Sequence, residues 1–435
     1  MGPLAGLRVI DLTSVLMGPY ATQMLGDFGA DVIKVEGPDG DLVRKIGPQR
    51  HAGMGPVFLN TNRSKRSITL DLKKPSAIRA LLRLCRNADV LVYNVRARAM
   101  ERLGLSYETV SAANPRIIYA GLFGYGQDGP YADWPAYDDL IQGAALIPYL
   151  FARVNDGKPR YVPTAMADRV VGLLATSAIL AAVVERDRSG LGQRVDVPMF
   201  ETMVSFVMGD HMGGLTFDPP LDRGGYARQL SPDRRPYRTS DGYICALVYN
   251  DGHWRRFFAA IGRPDMPDAD PRFRDFVSRM AHIDQVYAEL AQILLTRTTA
   301  EWLELLREAD VPAMPMYDFD GVLADPHLAA TGFFQMLDHP TEGRIRQMAV
   351  PASWSRTPAR PERLAPRQGE HGAAILREAG LAEDEIAALL AEGALGSPPD
   401  PPAEASADPD PATPFPAQPA IPARGQRRGA ARPEG

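Results

Sequence analysis

Short apolar runs alternate with amphipathic ones along the first half of the chain. Residues 7–13 read as a strand, 19–28 as a helix closed by Gly29, and 31–36 as a second strand. Residues 67–72, 90–94 and 117–122 are further strands. Helices fall between them at 75–87, where proline occupies the first turn, and around 100–113. Strands alternating with helices of this length predict a parallel sheet in an α/β domain.

The pattern then changes. From Val170 to Val184 the chain is almost continuously apolar, bracketed by Arg169 and by Glu185 and Arg186. That run is shorter than the ~20 residues of a bilayer span, so it predicts a buried core helix. A strand at 195–198 and a helix at 201–209 follow. Residues 210–236 are rich in Gly, Pro, Asp and Arg and lack a period, which marks a linker. A strand at 243–249 and helices at 252–262, 281–295 and 299–309 predict a smaller α+β domain. Residues 331–366 read as irregular, and helices at 370–380 and 383–391 close the fold.

The expected class is therefore α/β. A Rossmann-like large domain begins at 1–209, a linker spans 210–236, and the small domain spans 237–330. Residues 331–396 return to the large domain. Residues 397–435 are proline-rich with Phe415 as their one aromatic, so they are expected to form a disordered tail.

Composition narrows the function. Apolar content of 45% and charged content of 23% describe an ordinary globular protein. A net charge of −5 argues against nucleic acid as the main partner. Cys85 and Cys245 lie far apart in apolar segments and read as buried, inert thiols in a reducing compartment. Arg8 and Asp11 interrupt the N-terminal apolar run, so no signal peptide is read. The expectation is a cytoplasmic protein with no membrane partner.

Asp168 opens the long apolar helix. A lone carboxylate there faces the positive end of the helix dipole, which eases its ionisation. An ionised carboxylate at an apolar wall suits a nucleophile, although the same residue also serves as a simple helix start. Gly124-Tyr-Gly126-Gln-Asp-Gly129 has dinucleotide-loop spacing, and Glu36 stands where a ribose would be held. However, Gly129-Pro130 continues as a turn, not a helix. An NAD(P)-dependent oxidoreductase is thus a remote alternative. No metal-ligand spacing, G-x-S-x-G elbow or Walker lysine occurs. Basic residues cluster near strand ends: Arg63, Lys65, Arg66, Lys73 and Lys74 around the third strand, and Arg96, Arg98 and Arg102 after the fourth. They suggest one anion site.

These segments together resemble the class III coenzyme A transferases of the CaiB/BaiF type, the group of formyl-CoA:oxalate and carnitine CoA-transferases. The resemblance spans about residues 3–395. It rests on Leu4-Ala-Gly-Leu-Arg-Val-Ile-Asp-Leu-Thr13, Gly18-Pro19, Leu25-Gly-Asp-Phe-Gly-Ala-Asp-Val-Ile-Lys-Val-Glu36 and Asn62–Lys73. It continues with Gly124–Pro130, Tyr137-Asp-Asp-Leu-Ile-Gln142, Arg188-Ser-Gly-Leu-Gly-Gln-Arg-Val-Asp196 and Gly369-Glu-His371. The resemblance implies Asp168 as the nucleophile of a covalent aspartyl mechanism, with an acyl-CoA and a carboxylic acid as substrates and no permanently bound cofactor. It implies Tyr137 for orienting the thioester. It implies CoA contacts at Val15, Leu16, Leu70, Lys73, Asn94, Val95, Arg96 and Arg102. It also implies an interlocked two-subunit ring. The arginine often found after the second strand is replaced by Gly37-Pro38, and a lysine some relatives carry is Pro135. The racemases of the same fold, the alternative reading, need a histidine where Tyr137 stands; a tyrosine with an ordinary pKa near ~10 is a poor base. Arg223, Arg228, Arg234, Arg235 and Arg238 read first as surface charge on the linker, with a second carboxylate of a dicarboxylic acceptor as the alternative.

Overall fold

The computed structural model describes residues 2–399. Six strands form one parallel sheet: β1 (Arg8–Leu12), β2 (Asp31–Glu36), β3 (Lys65–Thr69), β4 (Val90–Tyr93), β5 (Ile118–Phe123) and β6 (Arg194–Pro198). Their order is β3-β2-β1-β4-β5-β6, so the winding reverses between β1 and β4. Helices cover both faces, and β3, β4 and β5 are buried along their whole length. Parallel strands packed on both sides are expected to read as apolar runs. β3 departs from that rule. It opens on buried Lys65 and Arg66, which is why its apolar pattern begins two residues late.

One face packs Ala77, Leu81 and Leu84 against Ile375, Leu376, Ile386 and Leu389 of the C-terminal helices. The other packs Met17, Ala21 and Leu25 against Val171, Ala175 and Ile179. The second group joins the helix Met17–Asp27 to the helix Met166–Ser189. Gly172 permits this crossing: a Cβ there would lie 2.9 Å from the Met17 carbonyl oxygen. The Met166–Ser189 helix, at 24 residues, is longer than its apolar run suggested and passes for a membrane span by length and composition. It packs lengthwise on the sheet layer, with Leu173, Leu174 and Val184 facing outward.

A second core surrounds Trp254, Phe257, Phe258 and Trp302 beside a small antiparallel sheet. That sheet contains β7 (Tyr237–Arg238), β8 (Tyr243–Ala246) and β9 (Ala313–Pro315). Residues 331–366 are not wholly irregular, as the sequence suggested. They hold an antiparallel hairpin, β10 (Phe334–His339) and β11 (Gly343–Met348). Half the positions of each strand are exposed, and the apolar alternation at Phe334 and Met336 breaks at Leu337, so the pattern is too short to mark them.

Other boundaries also shift. The helix expected at 100–113 is two, Ala97–Arg102 and Tyr107–Ala113, with Gly104 between them at a φ of +68°. Helices Asp138–Ala144 and Ile147–Val154 were not anticipated. Cys85 is buried, but Cys245 is exposed, contrary to expectation. The expected tail lies, from residue 400 onward, outside the described residues.

Candidate active site

The reversal of winding opens a cleft at the carboxyl ends of β1 and β4, the place where doubly wound sheets take ligands. It holds about 300 Å³. The loop after β1 supplies Val15 and Leu16, and the loop after β4 supplies Asn94, Val95 and Arg96. Trp134 and Tyr137 close the wall opposite, and Asp168 and Asp138 lie in the same cleft. Seven of the residues singled out from the sequence thus meet: Val15, Leu16, Asn94, Val95, Arg96, Tyr137 and Asp168.

Three do not. Leu70 is fully buried in the core and presents no side-chain surface. Lys73 is exposed just past β3, the edge strand, which β2 and β1 separate from β4. Arg102 is exposed at the end of its helix and outside the cleft lining. The expected single cluster after β3 and β4 therefore does not form, because those strands are not neighbours. Three of its members are internal instead. Arg63 pairs with Asp27 at 2.8 Å, Lys65 with Asp11 at 3.0 Å, and Arg66 with Asp31 at 2.7 Å. Arg98 pairs with Asp133 at the rim. The linker arginines stay out as well; Arg228 donates to the Tyr287 hydroxyl, and Arg235 pairs with Asp233.

Asp168 occupies the third position of its helix, whose own N-cap, Ala165, offers no side-chain acceptor. Asp138 supplies it from the neighbouring helix. Its Oδ1 accepts the Asp168 N–H at 3.0 Å, and its Oδ2 accepts from Gln142 at 2.6 Å. Gln142 in turn accepts the Val162 N–H, which fixes the approach to the helix. Arg169 lies 4.3 Å over the Tyr20 ring and pins the same turn to the adjacent helix.

The carboxylate is thus not alone, and it does not ionise more easily. Burial raises the Asp168 carboxyl to about 7, the Asp138 charge adds to the rise, and Arg169 opposes it. Desolvation and a like charge outweigh the helix dipole. A carboxyl poised near neutrality is more basic than a free one and still ionises within the physiological range.

The remaining candidates resolve simply. Arg44 takes both oxygens of Glu36, at 2.7 Å each, leaving none for a ribose. After Gly124–Gly129 the chain turns, and the next helix begins only at Asp138. No histidine lines the cleft. Among the described residues no metal-ligating cluster occurs.

The fold is thus α/β, with a switch-point cleft that holds a half-buried carboxyl raised to about 7. The chain belongs to CoA-transferase family III, whose model matches residues 4–372. It is 37% identical over 391 residues to the succinate–glutarate CoA-transferase of Agrobacterium fabrum, covering 86% of this chain and 95% of that one. It is 34% identical to the succinyl-CoA:mesaconate CoA-transferase of Haloarcula hispanica, covering 88% and 97%. The crystal structure of a CAIB/BAIF family protein from Brucella suis superposes with a TM-score of 0.74 at 33% identity, covering 87% and 99%. The protein is accordingly a CoA-transferase that uses CoA thioesters as substrates.

Proposed function

We propose that the enzyme moves CoA from an acyl-CoA to a free carboxylic acid through a covalent intermediate on Asp168. The Asp168 carboxylate attacks the thioester carbonyl, forming a mixed anhydride and releasing the CoA thiolate. The thiolate then attacks the Asp168 acyl carbon. The donor acid leaves as its carboxylate, and CoA is joined to the enzyme as an aspartyl thioester. The acceptor carboxylate reverses these two steps on its own acyl group and frees Asp168. Two easier acyl transfers thus replace one difficult exchange.

The observation that carries this reading is the raised Asp168 carboxyl inside the switch-point cleft. Val15, Leu16 and Val95 give the pantetheine an apolar wall, Arg96 meets phosphate, and Tyr137 orients the thioester. The arrangement supports transfer over racemisation, because the tyrosine where a second base would stand is a poor proton acceptor.

The two named relatives act on short dicarboxylates, and we extend that class to the acceptor here. A panel of acyl-CoA donors crossed with mono- and dicarboxylic acids, read by mass spectrometry, tests it. Preference for monocarboxylates would remove the dicarboxylate assignment. We further place the enzyme in the cytoplasm, since Cys85 and Cys245 are unpaired. We propose a homodimer as well, because Leu173, Leu174, Val184 and Phe206 are large apolar side chains left exposed on two neighbouring helices. Light scattering at a monomer mass would contradict that assembly.

A further inference from the structure

The loop after β1 carries Val15 and Leu16 into the cleft, and side chains hold its main chain from both sides. The Thr13 N–H donates to Asp11 Oδ1 at 2.9 Å, and the Thr13 carbonyl accepts from Lys34 Nζ at 2.9 Å. The Ser14 N–H donates to Asn94 Oδ1 at 3.0 Å, and the Ser14 carbonyl accepts from Asn94 Nδ2 at 2.8 Å. The Val15 N–H donates to Asp41 Oδ1 at 3.0 Å. Every main-chain polar group from Thr13 N–H to Val15 N–H is therefore taken by a side chain.

Beneath the loop lies a balanced set of buried charges. Asp41 pairs with Lys34 at 2.8 Å, Asp11 with Lys65 at 3.0 Å, and Glu36 with Arg44 at 2.7 Å. The Glu36 carboxylate also accepts the Asp41 N–H at 3.0 Å, which links two of the pairs. Buried ion pairs are weak sources of stability, and apolar replacements often do as well. What they do provide is fixed geometry. Val15 shows the need for it: a β-branched residue at a φ of 70° is strained and persists only where its surroundings over-determine it. Asn94, on the other side, spends its amide on Ser14, leaving that group committed to the loop.

We propose that Asp41, from outside the cleft lining, and Asn94, from within it, are positioning residues for the CoA thioester, acting through the Thr13–Val15 loop. This rests on the reading of the cleft as the CoA site. A loop set in advance spares the substrate the ordering cost of binding. Its loss raises KM more than it lowers kcat, since Asp168 is held by a separate helix start.

The test compares paired substitutions in the full-length enzyme, using an acyl-CoA that the enzyme turns over. Lys34→Met with Asp41→Leu removes both charges, the acceptor for the Val15 N–H and the donor to the Thr13 carbonyl, the last of these being lost in both pairs alike. Lys34→Met with Asp41→Asn removes the charges but keeps an oxygen for that N–H. The first pair is expected to raise the acyl-CoA KM by about tenfold with kcat within about threefold, and the second to recover most of the loss. Asn94→Leu is expected to behave like the first pair, and Asn94→Asp, which keeps only the acceptor, to fall between. The Asn94 series decides the matter if the charge pair fails to fold. Arg96→Ala serves as the control. If it raises KM while the loop variants leave KM unchanged, the positioning role is overturned and the cleft reading stands. If all of them leave KM unchanged, the cleft reading fails and the proposal falls with it.

Discussion

The main-chain N–H of Asp168 donates to Oδ1 of Asp138 across 3.0 Å, so the first residue of one helix caps the start of another. The same contact sets a second carboxylate close enough to help raise the Asp168 carboxyl to about 7, behind the larger effect of burial. Asp138→Asn keeps an oxygen for the N–H and removes the charge. The acidic limb of the kcat/KM profile is expected to move down by about one pH unit. An unmoved limb would show that burial alone sets the value.

The raised carboxyl also bears on stability. Its folded value of about 7 exceeds its ordinary 3.8, so the folded state binds that proton more tightly than the unfolded one. Stability is then lost as pH rises from about 4 to about 7. Asp168→Asn removes the penalty. Allowing for partial exposure, it is expected to stabilise the fold by roughly 1–2 kcal/mol at about pH 8, and by less near pH ~5. Denaturant melts at both pH values check this; a destabilised variant at the higher pH would contradict it.

The buried pair under β1 behaves in the opposite way. Burial would push the Asp11 carboxyl up, but Lys65, Lys34 and the hydroxyls of Thr13 and Thr22 outweigh it and hold it at about 2. Its contribution is present above about pH 4 and lost as pH falls through about 2. Lys65→Met leaves the Asp11 charge without its 3.0 Å partner. A loss of about 3–5 kcal/mol is expected in equilibrium unfolding, because an uncompensated buried charge remains. A loss below ~1 kcal/mol would mean that Lys34 suffices.

Tyr137 separates transfer from proton shuttling. The residue is 68% exposed at the cleft and precedes the Asp138–Ala144 helix. Tyr137→Phe is expected to retain transfer within about tenfold, since an orienting contact contributes less than a reacting group. No deuterium should enter the α-carbon of a 2-methylacyl-CoA in deuterated buffer. Rapid wash-in by the unsubstituted enzyme would favour the racemase reading.

Much of the scaffold was legible because parallel strands buried on both faces leave plain apolar runs, as in Val90–Tyr93 and Ile118–Phe123. The cleft side chains after β1 and β4 came from the family motifs, and strand-end logic reached only Arg96 among them. What stayed hidden depends on contacts between distant segments. The sequence shows Lys65 and Arg66 as basic residues; only the fold shows them paired with Asp11 and Asp31. Asp138 sits beside Tyr137 in a motif, yet its role needs the helix crossing that brings it to Asp168. Lys34 is only one residue of the second strand in the sequence, and its pairing needs Asp41 folded against it. The β10–β11 hairpin was missed because its apolar positions are few and their alternation breaks at Leu337.

The account turns on a covalent bond to Asp168. Incubation with an acyl-CoA followed by hydroxylamine, then peptide mapping by mass spectrometry, detects it directly. The predicted result is a hydroxamate on the peptide bearing Asp168, absent without acyl-CoA and absent in Asp168→Ala, which folds but does not transfer. An adduct on another residue, or transfer surviving in Asp168→Ala, would contradict the account.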